Sequence, residues 1–160
     1  MTVSITVQED DFNVGEAYEE MRQIRGAEVG AIAAFIGLVR DQNAKAGDGS
    51  QVNTLTLEHY PGMTESSIQA IADKAMARWQ LLGLSIYHRV GELTPQEQIV
   101  MVLASSGHRD EAFAAAEFVM DYLKTDAVFW KKEQTESGSR WIQSTENDQQ
   151  RAEMWQAKDA

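Results

Sequence analysis

The chain contains no cysteine and only 2 prolines in 160 residues. Without thiols there is no disulfide framework, no thiolate nucleophile and no cysteine-ligated zinc or iron–sulfur site, so any sulfur chemistry must use sulfur brought in by another molecule. Positive charge is scarce as well, with 14 Lys+Arg against 25 Asp+Glu and a net charge of -11. Long-range attraction to nucleic acid or an anionic membrane is therefore opposed, while a local cluster of cations and backbone N–H groups can still hold a small anion at short range. Nowhere is there a run of about 18 apolar residues, and the opening MTVSITVQEDDF lacks the basic start and apolar core of a secretory leader. Nucleic acid and membrane are not expected partners, and the cytoplasm is the expected compartment.

What is present is the composition of an ordinary globular protein, 43% hydrophobic and 24% charged, in a length that buries roughly two-thirds of the unfolded chain's surface. Val3-Ser4-Ile5-Thr6-Val7 alternates as a half-buried strand does. An amphipathic helix is predicted over 14–25, stopped by Gly26, and a doubly buried strand over 29–36. DQNAKAGDGSQV, 41–52, has loop composition. A strand over 53–60 turns at Pro61-Gly62 into a helix over 64–79, whose inward stripe is Ile68, Ile71, Ala72, Ala75 and Trp79. Two further strands, 84–90 and 98–104, suit a hairpin; a helix over 110–124 and short strands over 127–133 and 139–143 follow. The expectation is one α+β domain over 1–143, with three helices and a mixed or antiparallel sheet, and a polar, flexible tail over 144–160.

The candidate chemistry lies near the C-terminal half. Ser105-Ser106-Gly107-His108-Arg109-Asp110 joins a strand to a helix start, where free N–H groups and the positive dipole end favour an anion beside His108 and Arg109; an ordinary N-cap explains the same residues. At the other end of that helix, Lys124 suits either the negative dipole terminus or a reaction. Period-two alternation over the next strand puts Phe129, Lys131 and Glu133 on one face and Val128, Trp130 and Lys132 on the other, so Lys131 and Lys132 cannot share a role. Should the strand fold back beside its helix, Lys124 and Lys131 converge at one mouth and act as acid/base or nucleophile. Arg40 ends a buried strand where an anion contact or plain solvation fits. Arg140 beside Trp141 suits indole stacking or a salt bridge. His59 and His88 read as packed histidines, since neither has a partner at metal-ligand spacing, and no metal or cofactor is expected.

LEHYPGMTE at 57–65, HRVGEL at 88–93, SSGHRDEAF at 105–113 and MDYLKTDAVFWKKE at 120–133, followed by RWI, together resemble the large, catalytic subunit of molybdopterin synthase. The similarity runs in the family's order from about Asp11 to Gln150. It implies an α/β-hammerhead-like domain with a small additional antiparallel β subdomain, forming a homodimer flanked by two small ubiquitin-like sulfur carriers in a heterotetramer. The implied reaction is that of a sulfurtransferase: two sulfurs, each carried as a thiocarboxylate on the carrier's C-terminal glycine, enter cyclic pyranopterin monophosphate to form the molybdopterin dithiolene. By the same resemblance, Lys124 lies where the carrier tail enters and Lys131 lies beside the pterin. Arg40, His108, Arg109, Lys132 and Arg140 correspond to substrate contacts.

The chain departs from that pattern at Leu38, where a basic residue is common, and at Asp126 and Val128, where a basic residue and a proline are common. Two other functions compete with the enzyme: a non-catalytic scaffold that docks a ubiquitin-like partner around Phe129 and Trp130, and a small-anion sensor built on the helix start at 105–110.

Overall fold

Alternating side chains divide the longest strands between two hydrophobic layers, and that division organises the molecule. The structure is a computed structural model describing residues 2–41, 52–136 and 138–157. Strand β6 (Gln98–Ser106) sends Val100, Val102 and Ala104 to one side and Met101 and Leu103 to the other, all of them buried. It pairs antiparallel with β2 (Ala31–Leu38) and with β4 (Leu81–Arg89), and β4 pairs parallel with β1 (Thr2–Gln8), giving the order β1-β4-β6-β2. On the first side pack α2 (Met63–Arg78) and α3 (Arg109–Leu123), through Ile68, Ile71, Ala115 and Phe118. The other side is covered by α1 (Val14–Gln23), whose Met21 meets Met101 and Leu103. Burying both faces needs a helical layer on each, which the apolar runs of β2 and β6 anticipate.

A second sheet is wholly antiparallel: β5 (Gly91–Leu93), β3 (Val52–His59), β7 (Phe129–Thr135) and β8 (Gly138–Ile142), in the order β5-β3-β7-β8. The expected α+β class with an added antiparallel unit is therefore present, as two sheets rather than one. The hairpin read from 84–90 and 98–104 exists as β4 and β6, with β5 inserted in its connection. Gly91 makes that insertion possible: its φ of 88° lies in the region that side chains avoid, and it turns the chain out of the first sheet into the second. Val39, Leu55, Leu57, Val90 and Leu93 form the apolar joint between the sheets. Of the loop expected over 41–52, residues 42–51 lie outside the described set.

The C-terminal region differs from expectation. Residues placed in a flexible polar tail form a fourth helix, α4 (Glu146–Ala157), with Ala152 and Trp155 buried. Its anchor is polar and aromatic together. The Trp155 indole N–H donates to Asp121 Oδ2 at 2.8 Å, and Arg151 Nε donates to Asp121 Oδ1 at 2.9 Å. The Trp155 ring meets Trp79 and Phe118 edge-on at 5.6 and 5.5 Å, and the Arg78 guanidinium lies 5.5 Å from its centroid. Four apolar residues clustered at its C-terminal end, of which only Ala152 and Trp155 are buried, make no stripe in the sequence. Docking depends on Asp121 and Arg78, which are distant along the chain.

Candidate active site

The segment between the two lysines is held by the first turn of α2. Helix α3 closes at Lys124, where the Thr125 and Asp126 N–H groups both donate to the Tyr122 carbonyl, at 3.1 and 2.7 Å. The chain then passes over α2. There the buried Thr64 hydroxyl donates to the Val128 carbonyl at 2.7 Å, and the Val128 N–H donates to Ser67 Oγ at 3.1 Å. A proline at 128 lacks that N–H, so this chain's departure from the family pattern is matched by a hydrogen bond that proline cannot make. Thr64 Oγ1 also accepts from the Tyr60 N–H at 3.0 Å, and the Gly62 N–H donates to Glu65 at 2.6 Å. The Tyr60-Pro61-Gly62-Met63-Thr64 turn thus places the lysine segment as well as starting a helix.

From this anchor β7 begins, and its alternation is as expected. Phe129 and Lys131 point into a cleft of about 430 Å³, while Trp130 is exposed and packs on Tyr60 with ring centroids 5.3 Å apart. Lys124 lines the same cleft from the end of α3, and Arg40 lines it from the residues after β2. The two lysines therefore converge. A side chamber of about 130 Å³ shares Arg40, Lys124 and Lys131 with the main cleft, so three cations border both spaces. Apolar walls come from Phe35, Ile99, Met120 and Ile142, and Asp148 of α4 brings a carboxylate.

His88 forms part of the cleft lining and is 6% exposed. Its ring stacks on Phe129 at 3.9 Å and 22°, and its Nδ1 lies 2.9 Å from the Arg89 carbonyl. Burial is the main reason that its pKa falls to about 3, and the nearby ammonium groups of Lys131 and Lys124 push in the same direction. Both lysines therefore act on the one imidazole in the cleft wall. The packed-histidine reading of His88 holds, but it misses that the packing surface is the site itself.

The remaining sequence candidates lie elsewhere. Lys132 is on the opposite face of β7 from Lys131, its ammonium 5.7 Å from the Trp141 ring. Arg140 pairs with buried Glu133 across the β7–β8 ladder at 3.1 Å, so the salt-bridge alternative is realised and Lys132 takes the indole. His108 and Arg109 are exposed at the start of α3. The 16 residue steps from His108 to Lys124 amount to roughly 24 Å of helix, which separates these two residues from the cleft of their own chain. Ser106 Oγ accepts the His108 N–H at 3.2 Å, but His108 is itself the N-cap and, among the described residues, no side chain caps the first turn of α3, so the serine N-cap alternative is not realised. Among the described residues, no group of three or more His, Cys, Asp or Glu side chains is placed to hold a metal, and no helix is long and apolar enough to cross a membrane.

Asp148, Phe35 and Ile142 were not legible as site residues, because each reaches the cleft from an element whose position depends on long-range packing. The alternation of β7 was the signal that did carry through.

Residues 7–126 match a family model described as MoaE protein. Over 152 residues, 95% of this chain and 84% of the relative, the sequence is 51% identical to the molybdopterin synthase catalytic subunit of Ralstonia nicotianae. It is 48% identical over 151 residues to that of Escherichia coli, covering 94% of this chain and 97% of the relative. The structure is similar to the molybdopterin biosynthesis MoaE protein from Burkholderia ambifaria, with a TM-score of 0.79 and 44% identity over 96% of this chain and 97% of that one. With the family model spanning most of the chain and relatives near half identical over almost all of it, the chain belongs to the family of molybdopterin synthase catalytic subunits.

Proposed function

We propose that the cleft between α3, β7 and the end of β2 is where sulfur passes from a small carrier subunit to cyclic pyranopterin monophosphate. The observation that carries this reading is the convergence of Lys124 and Lys131 on one apolar-walled cleft beside Arg40. The donor is a thiocarboxylate, an anion, and the acceptor bears a cyclic phosphate. Ammonium groups in a partly water-free cleft attract both and stabilise the charge that moves between them. Each transfer forms a carbon–sulfur bond on the pterin side chain and breaks the carrier's acyl–sulfur bond, with water returning the carrier terminus to a carboxylate. Opening the cyclic phosphate adds negative charge, which three cations at one mouth compensate. Lys124, at the exposed rim, meets the carrier tail; Lys131, half-buried beside Phe129, meets the pterin. Each is placed to give or take a proton during these steps.

His108 and Arg109 enter this reading through a second copy of the chain. Strand β2 is the outer strand of its sheet, and it runs from the start of α3, where Ala31 pairs with Ser106, to the cleft at Leu38 and Arg40. Antiparallel association of two such edges about a two-fold axis brings one copy's α3 start to the other copy's cleft. Phe35 and Phe113, 42% and 67% exposed, border a groove of about 570 Å³ along this side and would be covered by the association. Lys132 and Arg140 are then supports of the second sheet rather than substrate contacts.

Reconstitution with thiocarboxylated carrier and cyclic pyranopterin monophosphate, followed by detection of the dithiolene product, tests the proposal. Lys124→Ala is expected to keep its fold and its carrier affinity and to lose product formation. Normal turnover by that variant would remove the central residue, and carrier binding by the wild-type chain without any pterin conversion would support the scaffold function instead. Arg109→Ala mixed with Lys124→Ala should recover activity through hybrid dimers that retain one intact cleft, and a failure to recover would count against the shared site.

A further inference from the structure

The charged groups of the cleft are three cations against the one carboxylate of Asp148, with Gln143 and Ser144 as neutral polar groups beside it. Lys124, Lys131 and Arg40 offer only N–H groups. A reduced pterin needs acceptors too, because its ring nitrogens and exocyclic amine carry hydrogens. We propose that His88 Nε2 is a fixed hydrogen-bond acceptor for an N–H of the heterocyclic substrate, which makes His88 a specificity-determining residue of this site. The inference rests on the reading of the cleft as the pterin site and adds how that site recognises the ring.

Three features of the geometry carry it. The Arg89 carbonyl, 2.9 Å from Nδ1, can only accept, so Nδ1 bears the hydrogen and Nε2 keeps a lone pair. The Phe129 ring, stacked at 3.9 Å, fixes the plane in which that lone pair lies. His88 lines the cleft itself, with Phe129 and Lys131 beside it on one face of β7.

Lys131 from β7 and Lys124 from the end of α3 act on the imidazole, and the other charged groups lining the same cleft are Arg40 after β2 and Asp148 from α4. The lysines oppose its protonation, and burial opposes it further. Nε2 therefore stays an acceptor across the physiological range and does not shuttle protons. A protonated imidazole would present a fourth donor to a ligand that already faces three.

The test measures substrate binding with the carrier in its carboxylate form, so that no turnover enters. His88→Asn retains an amide N–H for the Arg89 carbonyl and lacks the acceptor at the Nε2 position; His88→Phe retains the ring stacking alone. Both are expected to weaken pterin binding by roughly tenfold, the scale of one lost hydrogen bond to a buried site, without changing carrier affinity. His88→Gln, whose carbonyl reaches the Nε2 position, is expected to restore most of the affinity. In the wild type, long-range proton–nitrogen NMR should show an unprotonated Nε2 that shifts when pterin is added.

Unchanged affinity in His88→Asn and His88→Phe, or an Nε2 resonance that ignores the ligand, would overturn the assignment of His88 while leaving the site reading intact. Absence of pterin binding by the wild-type chain would overturn both. If a variant proves misfolded by its melting temperature, the NMR shift in the wild type decides alone.

Discussion

Replacing Trp155 by alanine should detach α4 and widen the cleft while leaving both lysines in place. The indole is 6% exposed, touches Trp79 and Phe118 edge-on, and donates to the buried Asp121 carboxylate. Truncating a buried tryptophan typically costs about 3–5 kcal/mol, the sum of lost transfer energy and cavity. Asp121 also loses a donor, and a buried acceptor left without one costs a further ~1–3 kcal/mol. A terminal helix does not transmit such a loss to the whole protein, because undocking of α4 is a cheaper opening than global unfolding. The main cooperative transition should therefore shift by less than the local cost, and amides over 146–157 should lose their hydrogen-exchange protection. Asp148 on α4 and Ser144 just before it line the cleft, so the KM for the pterin should rise by about tenfold or more with a smaller change in kcat. Trp155→Phe separates the contributions: it keeps most of the ring and removes only the N–H, so about 1–3 kcal/mol of local stability should go. Unchanged protection over 146–157 in Trp155→Ala, or lost protection with KM unaltered, would refute the account of α4 as a wall of the site.

His88 makes the stability of the fold sensitive to acid. In the unfolded chain it takes a proton near pH 6.5, whereas the folded chain refuses it until about pH 3. Stability is therefore lost as pH falls below 6.5, by about 1.4 kcal/mol per unit from this group. Urea titrations of the wild type and His88→Phe between pH 4 and 5.5, where the unfolded imidazole is almost fully protonated and the folded one is not, should differ in slope by about that amount, and parallel slopes would contradict it. Gly30→Ala should destabilise by about 1–3 kcal/mol, because a Cβ there would run into the Gly107 carbonyl oxygen; perturbed His108 and Arg109 resonances are the specific readout. Thr64→Val should cost about 1–3 kcal/mol and lower kcat, since the Val128 carbonyl and Tyr60 N–H lose their partner and the lysine segment loses its anchor. Full activity in that variant would show that Thr64 serves the helix alone.

The amino-acid sequence by itself determined the elements that obey a period and the composition of the chemistry. The apolar run of 98–104, the alternation over 129–133 and the apolar stripe of 64–79 follow from local rules, because strand and helix geometry dictates which side chains share a face, and the absence of cysteine is read directly. Alternation separated Lys131 from Lys132 without any coordinates. Only the tertiary structure decided which face became a cleft, since that depends on β3 pairing with β7 and on Thr64 and Ser67 holding Val128 across more than 60 residues of chain. It likewise separated His108 and Arg109 from the lysines, because two ends of one helix cannot meet within one chain. The docking of α4 and the neutral state of His88 were invisible for the same reason: a polar helix becomes structural, and an ordinary histidine becomes an acceptor, through desolvation and partners that no local window contains.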